Sequence, residues 1–109
     1  MRKDPKFFLR HILESIRWIE EYTEGISKDD FLRLTKVQDA VIRRLEIVGE
    51  AVKNLPSEFR EKYLDIPWRQ IAGIGDVLIH GYFGVDLDLL WNVVKKDIPD
   101  LKQKISKIL

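Results

Sequence analysis

The 109 residues include no cysteine. That absence excludes disulfides, thiol catalysis and cysteine-ligated zinc. A surplus of one charge sign is missing too: 19 Lys and Arg stand against 18 Asp and Glu, for a formal net charge of +1. No global basic field steers a nucleic acid, so such a partner needs a local patch. No uninterrupted apolar run approaches the roughly 18 residues of a membrane span. The opening Met1-Arg2-Lys3-Asp4-Pro5 is charged and leads straight into an amphipathic pattern, unlike a secretory leader. A cytoplasmic protein with no membrane partner is the expectation. Asparagine and glutamine are scarce, at two and three residues, amid abundant Lys, Glu and Arg, which leans toward a thermophilic source.

What is present reads as helix throughout. Apolar residues make up 45% of the chain, enough for one modest core in a single domain over residues 1–109. Asp4-Pro5 is a helix start, a capping acceptor followed by proline in the first turn. Phe8, Ile12, Ile16, Ile19 and Tyr22 then recur at helical spacing until Gly25. Ser27 and Asp30 have the spacing of a capping box. The stripe Leu34, Val37, Val41, Leu45, Val48, Val52, Leu55 predicts one long helix from about Lys28 to Asn54. Pro56-Ser57 opens a short helical turn through Tyr63, and Pro67 opens a helix expected to run to about His80. Gly81 and Gly84 bracket a bend, after which Asp86 caps a last helix carrying Leu87, Leu90, Val94, Ile98, Leu101, Ile105 and Ile108. Pro99 must kink or divide that helix, having no amide donor and clashing with the preceding turn. The expected fold is all-α: an antiparallel bundle of about four to five helices with a kinked terminal helix. Phe7, Trp18, Ile42 and Ile47 fall off the stripes and are candidates for contact with a second subunit.

One segment does not read as scaffold. Residues 68–86 place Gly73 and Gly75 inside a predicted helix, where each costs about 1 kcal/mol relative to alanine. Close helix packing would explain Gly73; Gly75 has no such reason. His80 follows Asp76 by four residues, so the two side chains are neighbours on a helix. A carboxylate beside an imidazole raises its pKa and fixes its orientation, as a general acid or base near neutrality requires. Tyr82 follows where Gly81 releases the chain. A histidine at a helix C-terminus is more often structural or solvated, favoured there by the helix dipole.

The pattern Trp68-Arg69…Ile71-Ala72-Gly73…Asp76…Leu78-Ile79-His80-Gly81-Tyr82-Phe83-Gly84-Val85-Asp86 resembles the signature of the HepT-like branch of the HEPN superfamily. Arg44-Leu45-Glu46-Ile47-Val48-Gly49-Glu50-Ala51 is similar to the same branch. The resemblance implies a metal-independent ribonuclease, usually the toxin of a toxin–antitoxin pair. Its partner is then a small MNT-type nucleotidyltransferase, which silences the toxin by transferring AMP from ATP onto a motif tyrosine. ATP enters only as that AMP donor; no cofactor or metal of the chain's own is implied. The family motif is Arg-x4-His, often extended to Arg-x4-His-x-Tyr. Its histidine corresponds to His80, its modified tyrosine to Tyr82, and Asp76 holds the supporting polar position. The family is dimeric, which would bring two histidines to one cleft.

The chain departs from that motif at its arginine. Five residues before His80 stands Gly75. Arg69 lies about three helical turns away and cannot substitute locally. Arg43 and Arg44 are other candidate cations, with surface ion pairing as their alternative use. Weak or absent RNA cleavage by this chain is therefore expected. A non-catalytic substrate or partner subunit of a minimal nucleotidyltransferase, keeping Tyr82 as AMP acceptor, is the competing function, and a plain helical dimerisation module is a third. His11 reads as solvated or interfacial. Glu46 and Glu50 share a helix face and read as intrahelical ion-pair partners before metal ligands.

Overall fold

Local chemistry sets where the helices begin. In the computed structural model, which describes residues 3–74 and 86–109, the Asp4 side chain accepts from the Lys6 amide at 2.9 Å. Pro5 then opens α1, Pro5–Thr23. Gly25, at φ +74°, turns the chain in a region an L side chain resists. Ser27 and Asp30 form the expected reciprocal capping box, opening α2, Lys28–Phe31. After α3, Thr35–Lys53, and α4, Ser57–Glu61, the chain reaches α5, Trp68–Ala72. The Asp86 carboxylate accepts from the Leu89 amide at 3.0 Å and starts α6, Leu87–Asn92. A π-helical turn, Val93–Asp97, joins α6 to α7, Ile98–Ile108. No strand occurs among the described residues, and the chain is an all-α antiparallel bundle.

The expected helix from Lys28 to Asn54 is in fact two helices, broken at residues 32–34. On a continuous helix Phe31 would point about 80° away from Val41. The break lets both face the core, where each is fully buried. Phe31 packs on Trp91 with ring centroids 5.1 Å apart. Its carbonyl accepts from the Leu34 backbone amide at 3.3 Å and from the buried Gln38 side-chain amide at 2.8 Å. Leu34, read as part of the apolar stripe, is 40% exposed instead.

Pro99 acts as expected, by dividing the last helix. It has no N–H for the Lys95 carbonyl, and its ring would clash with that carbonyl in an ordinary turn. The wider π turn relieves this: the Ile98 amide donates to Val93, five residues back. Leu90, Val93, Val94, Ile98, Leu101 and Ile105 stay buried along both halves. They pack with Leu9, Ile12, Ile16 and Ile19 of α1 and Val41, Leu45, Val48 and Val52 of α3 in one core. Replacing Asp86 by alanine should cost about 1 kcal/mol through loss of the α6 cap, read as a lowered thermal midpoint.

Candidate functional site

The residues that sequence and resemblance single out, Gly75, Asp76, His80 and Tyr82, lie outside the described residues, as do Gly81 and Gly84. Their flanks are described. On the entry side, α4 anchors α5: the Trp68 indole N–H lies 3.1 Å from both the Arg60 and Tyr63 carbonyls. α5 then lies against α3 at Gly49. A Cβ built there would come 3.2 Å from the Ala72 carbonyl oxygen and 3.5 Å from that of Ile71. Gly49 is thus the glycine that close helix approach requires.

Gly73 is not. Among the described residues a Cβ there would meet the Arg69 and Gln70 carbonyls, at 3.6 and 4.0 Å, in ordinary contact. The helix expected to run on to His80 stops at Ala72, and Gly73 follows it as the C-cap. Its amide donates to the Arg69 carbonyl at 3.1 Å. The cost of a mid-helix glycine does not arise at this position. The exit side is held by the Asp86 cap, and Lys28 of α2 pairs with Asp88 of α6 at 3.0 Å.

The candidate cations divide. Arg43 pairs with Glu46 at 4.0 Å, an exposed i,i+3 contact of little energetic weight. Arg44 instead lies over the Trp18 ring, 5.5 Å from its centroid, and Trp18 stacks on Tyr22 at 6.0 Å. Arg69 is exposed on α5. Arg60, which no sequence spacing had marked, has a buried Nε with no hydrogen-bond partner among the described residues. Glu50 pairs with Lys53 at 3.6 Å, so both α3 glutamates are used in ion pairs along their own helix. His11 is exposed, its ring 4.5 Å from that of Phe7.

Phe7, Trp18 and Ile47 are half-buried and stand apart from the core cluster, whereas Ile42 packs against it. Among the described residues no helix is long and apolar enough to cross a membrane.

Comparison with known proteins extends this frame across the whole segment. The chain matches the family described as ribonuclease HepT-like over residues 12–108. It is 63% identical over 109 residues to a gamma-glutamylcyclotransferase and candidate RNase of Methanocaldococcus jannaschii, covering 100% of this chain and 49% of that protein. The chain therefore spans about half the length of that relative. It is 51% identical over 108 residues to a protein of Thermococcus cleftensis named as a probable ribonuclease HepT, covering 99% of this chain and 98% of the relative. A candidate RNase of Caldanaerobacter subterraneus subsp. tengcongensis is 47% identical over 107 residues, covering 98% of this chain and 96% of the relative. No solved structure matches. With the family match over most of its length and relatives aligned nearly end to end, the chain belongs to the HepT-like ribonuclease family.

Proposed function

We propose that this chain is the toxin subunit of a toxin–antitoxin pair: a metal-independent endoribonuclease by design, silenced when a cognate MNT-type nucleotidyltransferase moves AMP from ATP onto Tyr82. The observation that carries this reading is Asp76, His80 and Tyr82 at their motif spacing inside a ribonuclease-family domain. Cleaving RNA without a metal takes a base for the 2′-hydroxyl, an acid for the leaving oxygen, and positive charge on the phosphorane. An imidazole serves as base or acid, and one histidine cannot do both at once. Pairing two copies supplies the second. The half-buried Trp18 and Ile47, outside the core on α1 and α3, support such a homodimer. AMP on Tyr82 would add bulk and negative charge where RNA phosphate must approach.

Gly75 favours a second reading, in which the chain keeps Tyr82 as AMP acceptor but has lost catalysis. The test uses the dimeric chain with ATP and the neighbouring transferase. Mass spectrometry should find one AMP per chain, on Tyr82, and none on Tyr82→Phe. RNA cleavage in chelator should be weak and should fall further in His80→Ala. Absence of AMP on Tyr82 would sink both readings, while AMP transfer without any His80-dependent cleavage would favour the substrate-subunit reading.

A further inference from the structure

We draw no further inference here: the strongest candidate, the cavity of about 250 Å³ between α5 and the α6–α7 arm, has as its charged rim the exposed Asp97 and Asp100, the latter already paired with Lys104 at 3.0 Å, and nothing in the structure shows what would occupy it.

Discussion

Replacing Gly75 with arginine should raise RNA cleavage by about 100-fold or more over the chain with Gly75, the scale on which a single charge-stabilising donor acts. The gain comes from guanidinium, which grips two phosphate oxygens at once and stays charged throughout the reaction. Lysine at the same position should recover less, because it meets the phosphate as a single point charge. The added activity should vanish when His80→Ala is combined with Gly75→Arg, and expression of Gly75→Arg should slow cell growth. The assay is cleavage of a fluorescent RNA in chelator, with AMP-modified protein as a second control. No gain in either cleavage or toxicity would reject the missing-arginine account and leave Tyr82 as the centre of the chain's function.

Replacing Gly49 with valine should cost about 3 kcal/mol and lower the thermal midpoint by about 10–20 °C. A Cβ at this position already sits 3.2 Å from the Ala72 carbonyl oxygen. That atom belongs to backbone, so no side-chain rotation clears the space. Valine adds two methyl groups to the conflict, and α5 must then move off α3. Gly49→Ala should cost less than valine. Because α5 leads through Gly73 and Ile74 into the candidate segment, Gly49→Val should also speed proteolysis after residue 73. An unchanged midpoint for Gly49→Val would contradict the close α3–α5 approach. The two glycines thus carry opposite expectations. At Gly75 a side chain is missing chemistry, and at Gly49 a side chain has no room.

The candidate site was legible in a different way from the helices. Spacing alone places His80 beside Asp76 and says no more than that a tuned imidazole is available. The identity of the motif, its absent arginine and the AMP-accepting role proposed for Tyr82 come from resemblance, because chemistry at a site depends on which residue types meet across the fold. Spacing also passed over Asp97 and Asp100. Only the packing of α5 opposite shows that they rim a cavity.

Where α1, α2 and α6 begin is written locally, in side chains that reach their own backbone. Asp4, Ser27 with Asp30, and Asp86 each cap within three residues, so no distant partner is needed to read them. The apolar periods of α1 and the terminal arm are local in the same sense, since a 3.6-residue turn turns spacing into a face. Where helices stop and bend was decided by tertiary packing. Burying Phe31 against Trp91 made the break at residues 32–34 worth more than an unbroken helix, with Leu34 and Gln38 both donating to the Phe31 carbonyl. The same holds for Gly49 and Gly73. They look alike in a sequence, and only the structure shows that the first makes room for the α5 backbone opposite while the second ends a helix.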